Sequence, residues 1–217
     1  MSKPSEVKCP VSENLRGHEN IEWSIGYAFH LTDDMRDLPR AMLVGDSICN
    51  AYQPLVRELL EGRMNVSYWA SSYCVTSPNY LRLLDFYLEE APYDVVHFNN
   101  GLHSLGTPTA DWARALERAL RLVRERQPTA KIVWATSTPL ADPGKTAKCR
   151  ELNDAAKAVI DSIGGIATDD LFALLDPLDR AANWTDCYHH APATVRLEAT
   201  QVAKTCMGSW NLKGPML

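Results

Sequence analysis

Two short segments at opposite ends of the chain carry side chains that could perform acyl transfer together. Gly45-Asp46-Ser47 ends an apolar run, Ala41 to Val44, and a polar, amphipathic stretch follows, Cys49 to Leu60. In that stretch Leu55, Val56, Leu59 and Leu60 recur at helical spacing, so the pattern is a strand, a tight turn and a helix. Gly45 permits the turn, Asp46 is suited to cap the helix, and Ser47 is left where strand meets helix. A hydroxyl there lies beside unpaired N–H groups and the positive end of a helix dipole, where an oxyanion would meet donors already in place. Near the other end, Asp186-Cys187-Tyr188-His189 sets a carboxylate three residues before an imidazole. In a turn or first helical coil these lie on one side, so Asp186 can hold one ring nitrogen and leave the other to take a proton from a serine. Each segment alone has an ordinary structural explanation, Ser47 as a second helix cap and His189 as a surface histidine. Their pairing favours chemistry.

With these residues in view, the sequence resembles the SGNH (GDSL-type) hydrolases, over about residues 40–207. Gly45-Asp46-Ser47-Ile48 matches the block of the nucleophile, and Asp186-Cys187-Tyr188-His189 matches the Asp-x-x-His block of base and orienting acid. Between them, Asp94 to Ser104 falls where the family has a strand followed by Gly-x-Asn-Asp, and it looks closest to a subgroup that reads Phe-Asn-x-Gly-Leu-His-Asp. Ile132 to Pro139 is similar to that subgroup's fourth strand and exit loop. The resemblance implies a catalytic Ser47, His189 and Asp186, and an oxyanion hole using backbone N–H groups of Ser47 and Ala70. Two positions depart from the pattern. His103 stands where the family has its oxyanion asparagine, so the side-chain donor is His103, Asn99 or Asn100. Ala70 stands where the second-block glycine falls, which keeps the N–H and adds a methyl.

The resemblance further implies a serine esterase that needs no metal or cofactor. A small acyl group, an acetyl above all, on a sugar or other polar alcohol is the expected substrate. Trp69, Tyr68, Tyr73 and Tyr188 are candidates to stack on a sugar ring, though core packing explains them equally well. Asp46 and Ser71 join Trp69 and Tyr188 as candidate substrate-binding residues. Lipase, lysophospholipase or thioesterase activity remains an alternative, as does a binding protein that has lost catalysis. His190, at i, i+4 from Asp186, is an alternative base.

The chain must also position these groups. Its 217 residues suit one α/β domain with a full core. A formal net charge of −5 argues against nucleic acid or an anionic membrane as the main partner. No apolar run approaches membrane-spanning length. The first residues lack the apolar core of a signal peptide, so the expected location is cytoplasmic, or secreted if a leader has been trimmed. The six cysteines (9, 49, 74, 149, 187, 206) show no C-x-x-C spacing and are expected to be reduced thiols.

Residues 1–38 form an extension, with Ile21 to Phe29 apolar enough to pack on a single hydrolase domain over 39–217. His18 and His30 in it are expected at the surface or in packing. Further strands are expected at Asn65 to Ala70, Tyr93 to Phe98, Lys131 to Thr136 and Ile166 to Thr168. Helices are expected at Asn79 to Glu90, Thr109 to Gln127, Cys149 to Ile163 and Thr194 to Cys206, and an apolar run, Leu171 to Leu175, follows the last strand. Ser137 to Lys148 reads as a loop shaping the pocket. The arginines of the third helix (114, 118, 121, 124 and 126) alternate with acids and read as a solvated face. His97, inside a buried strand, reads as a satisfied core residue. The alternation of strand and helix predicts a three-layer α/β/α fold with a five-stranded parallel, flavodoxin-like sheet and its site beyond the strands' carboxyl ends.

Overall fold

The computed structural model describes residues 21–28 and 37–211. Its strands are β1 (Ser24–Tyr27), β2 (Arg40–Gly45), β3 (Asn65–Ser71), β4 (Val95–Phe98), β5 (Lys131–Ala135) and β6 (Ile166–Asp169). Its helices are α1 (Ser47–Leu59), α2 (Tyr80–Glu89), α3 (Thr109–Arg126), α4 (Pro143–Ile163), α5 (Leu171–Leu175), α6 (Arg180–Asn183) and α7 (Pro192–Asn211). The strands form one sheet in the order β1-β3-β2-β4-β5-β6. From β3 to β6 every pairing is parallel, and β1 joins the outer edge of β3 antiparallel. Right-handed crossovers from a sheet of this order send α1 to one face and α2, α3 and α4 to the other. In accord with this, α1 packs on α7, and α2, α3 and α4 pack in succession.

The hydrophobic pattern accounts for the centre. Every residue of β2 and of β4 is buried, as strands covered on both faces require. Trp112, Leu116, Leu120 and Val123 are the buried stripe of α3, while Arg114 and Arg121 pair with acids on the solvent side, with Asp111 and Glu117. No described helix is long and apolar enough to cross a membrane.

Three expectations are corrected. The sheet has a sixth strand, β1, from the N-terminal extension. It is held mainly by polar contacts: Ile25 and Tyr27 are exposed, whereas Trp69 Nε1 donates to Ser24 Oγ (2.8 Å) and Trp23 N–H to Ser72 Oγ (2.8 Å). Gly26 lets the ring of Tyr87 lie against the strand, for a Cβ there would meet it at 2.1 Å. His18, Phe29 and His30 lie outside the described residues. The expected loop from Ser137 to Lys148 ends early, because α4 begins at Pro143. Asp142 caps it by accepting from Lys145 N–H (3.0 Å), and proline at the first helical position replaces an N–H that had no helical partner. The last helix runs from Pro192 to Asn211, longer than its apolar spacing predicts, and α6 was not expected.

Among the expected thiols, Cys49, Cys74, Cys149 and Cys206 are buried and outside any disulfide, whereas Cys187 is disulfide-bonded. Spacing along the chain reports only local pairs, so it did not reveal this bond. Cys9 lies outside the described residues.

His97 is a fully buried core residue, with Nε2 3.0 Å from Asp169 Oδ2. Gln201 Nε2 donates to Asp169 Oδ1 (2.9 Å), so one carboxylate ties β4, β6 and α7 together. Burial raises the Asp169 carboxyl, but the bonds from His97 and Gln201 outweigh it and hold it below its ordinary value of 3.8. With the folded value the lower one, the unfolded chain binds this proton first. The stabilisation is therefore complete above the ordinary carboxyl value and is lost as pH falls through the folded one. Asp169→Asn is expected to lower stability at neutral pH by roughly 1–3 kcal/mol. It should also flatten the acid limb of the stability curve, as measured by urea unfolding between pH 3 and pH 7.

Candidate active site

The turn after β2 is built from three consecutive residues. Gly45 is the last residue of the strand, and a Cβ there would sit 2.5 Å from Cys49 Cβ. Close approach to α1, and not a left-handed backbone, is what demands glycine: positive φ among described glycines occurs only at 62, 164 and 165. Asp46 is the helix cap, accepting from Ile48 N–H through Oδ1 (2.9 Å). Ser47 opens α1 at the carboxyl edge of the sheet.

The loop between α6 and α7 comes back to this turn. His189 Nε2 lies 2.9 Å from Ser47 Oγ, and His189 Nδ1 lies 2.7 Å from Asp186 Oδ2. The other carboxylate oxygen accepts the backbone N–H groups of Tyr188 (2.7 Å) and His189 (2.8 Å). Burial raises the Asp186 carboxyl, yet the bonds from the His189 backbone and ring and from Tyr188 N–H prevail and hold it below the usual carboxylate range. It therefore stays an anion wherever the imidazole works. The loop is fastened from behind. Thr185 N–H donates to His189 O (2.9 Å), Trp184 Nε1 donates to Pro139 O (3.1 Å), and Ala141 N–H donates to Cys187 O (3.0 Å). Ser47, His189 and Asp186 are thus brought together from positions 142 residues apart in sequence.

The other sequence candidates divide. His190 is buried and engaged with another acid, with Nδ1 3.1 Å from Glu198 Oε2. Asn99 Nδ2 donates to Ala135 O (2.7 Å) and Ser137 Oγ (3.2 Å), so both its hydrogens are used in joining β4 to the β5 exit. Asn100 Nδ2 donates to Tyr73 O (2.9 Å), and Oδ1 accepts from Val75 N–H (3.0 Å) and Ser104 Oγ (3.2 Å). These amides serve the scaffold. His103 stands half-buried on a 3-10 turn, Leu102–Ser104, edge-on to Trp23 at 6.3 Å. Ala70 is corrected as an oxyanion donor: it is fully buried and pairs with Ile25 of β1 as well as with Gly45 of β2. Since Ser72 N–H bonds Trp23 O, alternation along β3 turns Ala70 N–H toward β1 and away from Ser47.

Trp69, Ser71 and Asp46 are corrected as substrate contacts, because burial leaves them no face for a ligand: Trp69 and Ser71 are 0% exposed and Asp46 3%. Trp69 stacks on Tyr87 and tilts against Tyr80, in the core. Tyr188 is half-buried on the His189 loop. Sequence reasoning missed Glu198, for a lone Glu in a helix carries no signal of what it meets.

With this geometry in view, the solved structures are informative. A carbohydrate esterase family 3 protein from Talaromyces cellulolyticus is 14% identical, with a TM-score of 0.67 over 80% of this chain and 99% of that one. A member of the lipolytic G-D-S-L family from Veillonella parvula is 16% identical, with a TM-score of 0.65 over 76% and 96%. The chain has the SGNH hydrolase fold. An acetyl esterase mutant crystallised with an acetate ion is 12% identical, with a TM-score of 0.64 over 82% of this chain and 100% of its own. No family model matches the sequence, and no curated protein does. The SGNH fold therefore shows in the backbone where sequence comparison finds nothing.

The geometry of the turn is directly testable. Gly45→Ala is expected to force β2 and α1 apart, costing about 1–3 kcal/mol of stability. A thermal melt checks the cost. Because the displaced residue is next but one to Ser47, turnover by the remaining folded protein should fall as well.

Proposed function

We propose that this protein is a serine ester hydrolase acting on small acyl esters, acetyl esters above all, of a carbohydrate or other polar alcohol. The observation that carries this is the placement of His189, with one ring nitrogen on Ser47 Oγ and the other on an Asp186 carboxylate. In this mechanism Ser47 attacks the ester carbonyl carbon while His189 Nε2 takes its proton, and Asp186 orients and stabilises the imidazolium. The tetrahedral oxyanion is held by the N–H group of Ser47 and by the ring of His103. His189 returns the proton to the leaving alcohol, which leaves an acyl group on Ser47. Water, activated by the same nitrogen, then releases the acid and regenerates the serine.

Two features support a short acyl group on a polar alcohol. The cavity behind the turn, lined by Asp46, Ile48, Cys49, Tyr52, Asn99, Leu102 and Thr138 among others, holds about 10 Å³, the space of one water and not of a chain. The Asp186 and His189 side chains are 53% and 43% exposed, so the site opens to solvent, which suits a hydrated alcohol. Being a carbohydrate esterase or an acetyl esterase is a property of the similar structures that agrees with this reading.

The test compares hydrolysis of p-nitrophenyl acetate and octanoate by wild type, Ser47→Ala, His189→Ala and the double variant. Acetate is expected to be the better substrate by at least about tenfold. Each single variant should lose about 1,000-fold or more, with the double variant no worse than either, because members of one catalytic unit are not additive. Octanoate preferred over acetate would point to a lipase-like enzyme. Equal turnover by wild type and Ser47→Ala would overturn the proposal.

A further inference from the structure

The Asp186–His189 loop poses a mechanical problem. Its two working side chains are about half exposed, so packing around them does little to hold the His189 ring on Ser47. The next residue is different. The His190 side chain is 1% exposed and its Nδ1 lies 3.1 Å from Oε2 of Glu198, whose side chain is 0% exposed. The His190 ring stands perpendicular to Trp184 at 4.9 Å, and the two residues form a backbone bridge across the loop's neck. Trp184 is itself fixed by its bond to Pro139 O and by the Arg180 guanidinium lying 4.3 Å over its ring. Glu198 sits on α7, and α7 packs on α1, the helix that begins with Ser47. One buried bond thus fastens the loop carrying the base to the helix pair carrying the nucleophile.

The choice of residues also needs explaining. Glu198 Oε1 and His190 Nε2 have no hydrogen-bond partner among the described residues. Burial, opposed by the contact with His190 and reinforced by nearby Asp46, pushes the Glu198 carboxyl up. A buried acid–base pair with an unpartnered atom on each side is a poor stabiliser, and an apolar pair of similar volume would do at least as well. What such a pair supplies, and an apolar contact does not, is one fixed direction.

We propose that Glu198 and His190 are a positioning pair, setting the place of the His189 imidazole against Ser47 without touching the substrate. This rests on Ser47, His189 and Asp186 being the catalytic triad. A displacement of about 1 Å in a reacting group can cost up to about 100-fold in rate, so losing the anchor should lower kcat much more than it alters KM.

The experiment uses Glu198→Met, which keeps the volume and removes the acceptor, and Glu198→Gln, which keeps an acceptor for His190 Nδ1–H. Ser47→Ala is run beside them, all on p-nitrophenyl acetate well below the unfolding temperature. Glu198→Met is expected to lose roughly 10- to 100-fold in kcat with KM changed by less than about twofold, and Glu198→Gln to stay within about threefold of wild type. A purely structural role would lower the melting temperature and leave the kcat of the folded enzyme intact. If Glu198→Met does not fold, His190→Phe keeps a ring against Trp184 without the bond and should show the same loss in kcat. A folded Glu198→Met, or a folded His190→Phe in its stead, with wild-type kcat overturns the positioning role. So does a Glu198→Gln as impaired as Glu198→Met. Should Ser47→Ala itself retain wild-type turnover, the triad reading fails instead.

Discussion

Everything at this site depends on how abruptly β2 becomes α1. The strand is fully buried to Gly45, and the helix starts at Ser47, leaving Asp46 alone to make the junction. Such a junction is possible only if the last strand residue has no side chain, since the first turn of α1 brings Cys49 Cβ to where a Cβ on residue 45 would be. The consequence is geometric. Ser47 is presented at the edge of the sheet by two rigid elements at once, and its neighbouring N–H groups are aimed by the helix and not by a loop. Asp46 then has a structural duty, capping Ile48 N–H from a buried position.

The histidine has no such support of its own. It reaches Ser47 from a loop, and what fixes that loop lies behind it: backbone bonds to the β5 exit, the Trp184 indole on Pro139, and the His190 ring on Glu198. Adjacent histidines thus serve opposite ends. His189 is half exposed beside Ser47, and His190 is buried against Glu198. The division follows from the bridge between His190 and Trp184, which seats the second ring on the protein side of the loop.

Much of this was legible from the sequence, and what was not has a common cause. Strand and helix periods revealed the parallel sheet because burial on both faces leaves continuous apolar runs, as in Leu43-Val44 or Val95-Val96. Gly45-Asp46-Ser47 and Asp186 to His189 were legible because turn chemistry and side-chain chemistry coincide there. Contacts distant in sequence were hidden. Trp69 looks like a sugar platform until Tyr80 and Tyr87 are found on its faces. The four residues of β1 are too few and too exposed to show a period, and they join the sheet through polar bonds no pattern reports. Pro143-Gly144 reads as loop until Asp142 is seen to cap a helix. Asn99 and Asn100 looked like oxyanion donors because an asparagine near a catalytic turn can be either a donor to substrate or a strut.

That ambiguity has a physical basis. Parallel strands must end somewhere, and at the carboxyl edge their last carbonyls and the first N–H groups of the next helices lack regular partners. Short polar side chains fill the need: Asn99 takes the Ala135 carbonyl, Asn100 bridges Tyr73 and Val75, and Thr136 Oγ1 both donates to Asp170 Oδ1 and accepts from Phe172 N–H. Each such bond adds only about 1 kcal/mol, but leaving a buried partner unmet costs more, so the edge becomes a connected polar net. The same edge is where a substrate must meet donors and a base. A net that already orients polar groups needs few changes to present one of them to a ligand, which is why a strut and a donor look alike in the sequence.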